Sequence, residues 1–258
     1  MTASIAIGIG GLPGWQILRN IEARQIDAVA RDPLVARSTA HFREQIGSIQ
    51  SAADLVKDYR LLSVALRAYG LEEDLASKAF VQKVLESDVK DDTSLVNRLS
   101  DKRYLRLAAA FGFGNRERAS TTLGERVSEA CIQREFERRV GEGDENLRLA
   151  LNARRELEQM SGRDSSDRTL WYEVLGNPPL RKVFEGAFGF GNSYGKLPID
   201  RQLDEFMKSS ERLLGSASFT EIASQLGADK LLRSFLARSQ LATGAIRNRY
   251  SAALTLLS

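Results

Sequence analysis

The hexapeptide Ala-Phe-Gly-Phe-Gly-Asn occurs twice, at 110–115 and 187–192, and each copy closes a stretch of helical hydrophobic period. Tyr104, Leu107, Ala108 and Phe111 fall at i, i+3, i+4 and i+7 before the first copy, and Leu180, Val183, Phe184 and Ala187 do the same before the second. A looser version lies upstream, where Leu61, Val64, Ala65 and Ala68 lead into Tyr69-Gly70-Leu71. Gly70, Gly112 and Gly189 each follow an aromatic residue at the end of the stripe. A helix commonly turns left-handed there, and glycine alone does so without a Cβ penalty. The next residue, Leu71, Phe113 or Phe190, can then fold back on the last turn. Gly70, Gly112 and Gly189, with Phe111, Phe113, Phe188 and Phe190, are therefore expected to be structural helix caps, the phenyl rings substantially buried. Gly189-Phe-Gly191-Asn-Ser-Tyr-Gly195 also resembles a dinucleotide fingerprint on paper, but that site needs a preceding strand, and here a helical pattern precedes the glycines.

The remaining punctuation is helical too. A helix is predicted from Gly14 to Asp32-Pro33, where Asp32 can accept hydrogen bonds from free amides and proline is tolerated in a first turn. A second runs to about Gly47. Ser51 is a plausible cap for a short helix over 52–57, and Asp58 for the helix ending at Gly70. Glu72, Glu73 and Asp74 place acidic groups at the positive end of a helix carrying Phe80, Val84 and Leu85. A short helix around 95–99 precedes the first hexapeptide. Two longer helices follow, over about 122–140 and 144–160, separated by Gly141-Glu-Gly143. Ser161 to Asp167 is the best internal linker candidate, being polar and rich in turn formers. Beyond it a short helical segment and the Asn177-Pro178-Pro179 start lead to the second hexapeptide. Helices over 200–214, 219–226, 229–238 and 242–257 complete the chain. No segment alternates convincingly with period two. The expected fold is all-α, a multi-helix orthogonal bundle with internally repeated helical pairs. A flexible tail over 1–13 is expected to precede an all-helical body in two related halves, about 14–160 and 168–258.

Composition narrows the function classes. The chain of 258 residues has a formal net charge of only +3, its basic residues spread without a block. Arg134-Glu-Phe-Glu-Arg138-Arg139 mixes both signs and reads as a solvated helix face, and aromatic residues are sparse and not interleaved with the basic ones; nucleic-acid binding is not expected. The single cysteine, Cys131, excludes an intramolecular disulfide and a cysteine-based zinc site, and the single histidine, His41, cannot supply a histidine metal cluster. No cofactor is expected. No apolar run approaches the roughly 20 residues that span a bilayer, and the first basic residue is Arg19, so no secretory signal is read at the start. Acid–base work has candidates on paper in Glu125 with Glu129, or Glu135 with His41, although paired charges on a helix usually form a solvated face.

Several separated stretches resemble one family. Phe42-Arg-Glu-Gln-Ile-Gly-Ser-Ile, Asp58-Tyr-Arg-Leu-Leu-Ser-Val-Ala-Leu-Arg-Ala-Tyr-Gly-Leu, Lys78-Ala-Phe-Val-Gln-Lys-Val-Leu and Asn97-Arg-Leu-Ser-Asp-Lys-Arg-Tyr are similar to the family called domain of unknown function 1217. The resemblance runs from about Trp15 through Leu241. It implies a flagellar association, because members occur mainly in alphaproteobacteria and are often encoded among flagellar genes. That family has no established catalytic residues to carry over. The expected function is a cytoplasmic, non-enzymatic protein with a protein partner, as an adaptor, chaperone or minor structural component of flagellar assembly. An enzyme or small-ligand-binding protein is the alternative. The stripe Ala242, Ile246, Tyr250, Ala253, Leu254 and Leu257 would give the last helix an apolar side for a partner or for the core.

Overall fold

The computed structural model describes residue 5 and residues 8–115, 121–191 and 194–257, with side chains through 241. Among the described residues the chain is all-α, with fourteen α-helices and no strand. Contacts divide the described residues into two compact units, one within 21–139 and the other within 5–20 and 140–257.

The first unit contains α2 (Pro33–Gln45), α3 (Ala52–Lys57), α4 (Tyr59–Tyr69), α5 (Lys78–Leu85), α6 (Leu95–Arg98), α7 (Arg103–Phe111) and most of α8 (Leu123–Gly143), and takes in the end of α1 (Gly11–Ala30). Its helix starts follow local chemistry. Asp32 accepts from the Leu34 amide at 3.0 Å, Ser51 from Asp54 at 3.1 Å, and Asp58 from Arg60 and Leu61 at 2.8 and 3.1 Å. Each bond satisfies an amide that the helix itself leaves without a partner. α4 is amphipathic and central, packing on α2, α3 and α7. Leu61, Leu62, Ala65 and Leu66 bury there against Phe42, Leu55, Val81, Val84, Leu107 and Phe111.

α2 and α8 run antiparallel. Arg43 pairs with Glu125 at 2.8 Å, Ser128 Oγ donates to the Thr39 carbonyl at 3.4 Å, and Arg139 reaches Asp32 at 2.9 Å. As residue numbers rise along α2, they fall along α8. Gly124 lets the two backbones close up, since a Cβ there would lie 3.3 Å from the Arg43 Cα.

The second unit contains α9 (Glu145–Met160), α10 (Asp167–Gly176), α11 (Pro178–Phe188), α12 (Ile199–Leu214), α13 (Phe219–Ile222) and α14 (Gln225–Leu257). α11 packs on α9, α10, α12 and α14. The Trp171 ring meets Phe184, Phe206 and Phe219 edge-on, with centroids 5.4, 6.0 and 5.0 Å away, the offset geometry that aromatic quadrupoles favour. Its indole N–H donates to the Ala217 carbonyl at 3.0 Å, so the buried ring keeps its one polar atom satisfied.

Several sequence expectations are corrected. α1 begins at Gly11, and Ile5 is buried, so the described part of 1–13 does not read as a tail throughout; Pro13 falls in a first turn, where its missing N–H costs nothing. The acidic run at 72–74 forms a separate 3₁₀ turn, Glu72–Ala76, ahead of α5. The two helices expected over about 122–140 and 144–160 are present as α8 and α9, but α8 takes in Gly141 and ends at Gly143, so the break falls at Asp144, which caps α9 by accepting from Asn146 and Leu147. A helical glycine costs only about 1 kcal/mol, and Gly141 leaves room for the Arg148 side chain. Of the polar stretch 161–167, residues 161–166 are a loop inside the second unit, between α9 and α10, and Asp167 opens α10; the stretch is not a boundary between units. Residues 225–257 form one helix where two were expected. The stripe from Ala242 to Leu257 lies on side chains outside those described.

The three glycines that follow aromatic residues all adopt left-handed backbone, with φ of 70° at Gly70, 68° at Gly112 and 78° at Gly189. At Gly70 and Gly189 the cap is a full Schellman motif: Gly70 N–H bonds Arg67 and Leu71 N–H bonds Leu66, while Gly189 bonds Gly186 and Phe190 bonds Glu185. Gly112 makes the simpler single bond, to Ala108 at 2.9 Å. Replacing Gly189 by valine is expected to lower stability by about 1–2 kcal/mol, because the β-branched side chain disfavours this φ and its Cβ would lie 2.5 Å from Arg238 Nη1. Urea unfolding of Gly189→Val measures it.

Candidate functional site

The residues singled out as caps do structural work. Phe111 is fully buried, and Phe113, 5.7 Å from it between centroids, is half-buried, as are Phe188 and Phe190. The two hexapeptides diverge after the cap. Gly114 packs against the backbone of Glu86 and Ser87, leaving no space for a Cβ, whereas Gly191 faces open space. Asn115 then secures the 87–91 turn, its Oδ1 accepting from Val89 at 3.1 Å and its Nδ2 donating to Asp88 at 2.6 Å. Phe190 instead stacks on Tyr194 at 4.1 Å. The Gly70 carbonyl accepts from Arg103, whose guanidinium is held by Asp101 at 2.7 Å. Sequence reading missed Gly215, which closes α12 at φ 93°. The signal was a glycine directly after Leu213-Leu214; no aromatic residue drew attention to it.

The site with the most chemical character lies in the first unit, in the groove where α2, α4 and α8 meet. Its volume is about 320 Å³. α2 contributes Leu34, Val35, Ser38 and Thr39, α4 contributes Tyr59, Arg60, Ser63, Val64 and Arg67, and α8 contributes Cys131, Glu135, Arg138 and Arg139. The helical period explains the α8 set: positions 131, 135, 138 and 139 are spaced i, i+4, i+7 and i+8, one face of the helix.

Glu135 and Arg139 form its buried base, each side chain only 4% exposed. Arg139 Nε donates to Glu135 at 2.9 Å, and its Nη2 donates to Asp32 at 2.9 Å. Arg138 grips the same Glu135 carboxylate with two bonds of 2.9 and 2.8 Å, and Arg67 comes within 3.6 Å from α4. Burial opposes charge on Glu135, but the hydrogen bonds from Arg138 and Arg139 outweigh it and hold the carboxyl below its ordinary value. The Arg139 bond likewise holds Asp32 down, helped by the Leu34 amide. Beside them, burial pushes the Cys131 thiol up to about 11 against the weaker pull of Arg67.

The groups considered for acid–base work are engaged separately. His41 Nε2 lies 3.9 Å from Asp58, Glu125 pairs with Arg43, and Glu135 belongs to its arginines. Among the described residues no cluster of three or more potential metal ligands occurs, and no helix is long and apolar enough to cross a membrane.

Residues 68–227 match the family model described as protein of unknown function (DUF1217). The chain belongs to this family. The matched span holds all three left-handed glycines after aromatic residues and the α8 side of the groove, while α2 and the first turns of α4 precede it. Among solved structures, protein AGR_C_984 from Agrobacterium tumefaciens is similar, with a TM-score of 0.72 and 24% identity over 94% of this chain and 97% of that one. At that identity the likeness shows the fold. A search of curated proteins found no match.

Three outcomes follow from the groove. The folded state binds a proton on Glu135 less readily than the unfolded chain, so its stabilisation is complete above the ordinary value of 4.5 and is lost as pH falls through the lowered folded value. Between about pH 6 and pH 3 the urea midpoint is expected to fall less steeply in Glu135→Gln than in the wild type. Glu135→Ala is expected to cost about 3 kcal/mol at neutral pH, since it strips the nearly buried Arg139 of one of its two carboxylates. Cys131 is expected to react with a disulfide reagent at about pH 8 far more slowly in the native than in the denatured protein, because burial keeps it protonated.

Proposed function

We propose that this protein is a non-enzymatic, cytoplasmic interaction protein that serves flagellar assembly as an adaptor, chaperone or minor structural component. The observation that carries the interaction reading is the make-up of the groove's rim. Leu34 and Tyr59 are 62% and 61% exposed, and they lie beside Arg60, Arg67 and Arg138. Tyrosine and arginine are among the side-chain types that interfaces favour, and Leu34 adds exposed apolar surface to the same groove.

The state of the ionisable groups at the base supports the non-enzymatic reading. A carboxylate tied down by arginines is a poor proton acceptor, and a thiol raised to about 11 is a poor nucleophile near neutrality. The flagellar part rests on the family resemblance, whose members are often encoded among flagellar genes. A small-ligand-binding protein is the second reading, favoured by a groove volume of about 320 Å³, at the lower end of ligand pockets.

Affinity capture at high salt from cells assembling flagella, with mass-spectrometric identification, tests the proposal. Reproducible recovery of hook, rod or export components is the expected result. Recovery of no specific protein from such cells would overturn it.

A further inference from the structure

We infer that the groove between α2, α4 and α8 receives an acidic segment of a partner protein, with an apolar side chain seated between Leu34 and Tyr59 and carboxylates facing Arg60, Arg67 and Arg138. The inference rests on the interaction reading above and adds the partner's chemistry.

Charge carries the first half. The groove's charged lining is four arginines and one carboxylate, and with Asp32, which pairs with Arg139, the excess is two, out of a formal net charge of +3 for the whole chain. The positive potential is thus a local property of this surface, not a general one. Exposure sharpens it. Glu135 is covered, but the Arg138 and Arg67 side chains are 44% and 41% exposed. Arg60 is exposed at the rim and forms no ion pair among the described residues. A visitor therefore meets cations first. Guanidinium forks match carboxylates in two-point geometry and shed water more readily than ammonium groups, which suits a contact made at a protein surface.

The apolar half comes from where the chain starts its helices. Leu34 is the second residue of α2 and Tyr59 the first of α4. Asp32 and Asp58 cap the two starts, so both side chains are held on ordered turns. The other large exposed apolar groups, such as Ile199 and Leu226, do not line this groove. A peptide carrying one apolar anchor flanked by Asp or Glu satisfies both halves together, the anchor filling the cleft and the charges setting orientation. A nucleic-acid backbone would use the arginines and leave Leu34 and Tyr59 without a role.

The test is selection from a displayed library of random peptides of about sixteen residues, four helical turns if they fold on binding. The bait is the full chain, with counter-selection on Leu34→Glu/Arg60→Glu. Both positions are exposed, and the double variant is expected to keep the wild-type unfolding temperature. Enriched peptides are expected to combine Asp or Glu with a large apolar residue. A synthesised representative should bind the double variant about tenfold or more weakly, and lose a similar factor when its Glu residues become Gln.

No enrichment, neutral or basic consensus sequences, or equal binding to the double variant would each overturn the assignment. So would binding of dodecanoate that depends on Leu34 and Arg60 without any enriched peptide, which would make the groove a small-ligand site. Failure here, with flagellar components still captured from cells, removes the groove and keeps the interaction reading. Acidic-peptide binding without such capture keeps the groove and removes the flagellar role.

Discussion

Arg139 is the charge on which the first unit's central groove depends. A guanidinium this deeply covered is tolerated only when its desolvation is offset, and Glu135 one turn earlier and Asp32 on α2 both accept from it. Asp32 has a second duty, capping α2. One carboxylate thereby starts a helix and ties it to the far end of α8, while Arg43 with Glu125 ties the other end. The groove opens along this double-tied pair and is closed on its third side by α4, whose Arg67 approaches the same Glu135. At its floor the Arg139 charge is matched by Glu135 and Asp32, and its mouth carries arginines with Leu34 and Tyr59.

The helix ends obey a second constraint. α4, α7 and α11 each stop at a left-handed glycine, and at α4 and α11 the residue after it returns its amide to the last turn. Both Schellman caps face an arginine guanidinium, Arg134 at Gly70 and Arg238 at Gly189. The negative end of each helix and its last carbonyls favour that placement. The same six letters serve different neighbours after the cap. In one copy the second glycine lies against the backbone at 86–87 and Asn115 holds the turn beyond it; in the other the phenyl ring stacks on Tyr194.

Local chemistry was legible wherever a few neighbouring residues decide the outcome. The caps Asp32, Ser51 and Asp58, the helix start at Asn177, the stripes of α4, α7 and α11, and the glycine stops are decided by near neighbours in sequence, so the sequence carries them directly. Where the sequence misled, the cause was a weak local penalty overridden by packing. Gly141 read as part of a break, yet α8 runs on through it to Gly143 and the break falls at Asp144. Residues 225–257 form one helix where two, over 229–238 and 242–257, were expected.

The groove itself was nearly invisible in one dimension. Arg134 to Arg139 reads as a solvated run of mixed charge, and Arg138 and Arg67 do keep partly exposed side chains. Nothing in that run says that Glu135 and Arg139 turn inward, because the partner that permits it, Asp32, lies 107 positions away. The sequence by itself determined that the chain is helical, where the helices capped by Asp32, Ser51 and Asp58 start, and that Gly70, Gly112 and Gly189 end theirs, since hydrogen bonds and steric limits at those points act over a single turn. Only the tertiary structure decided which charges are buried, where Leu34 and Tyr59 meet the arginines, and which unit each helix joins. Those outcomes depend on desolvation and packing among residues that the chain brings together only by folding.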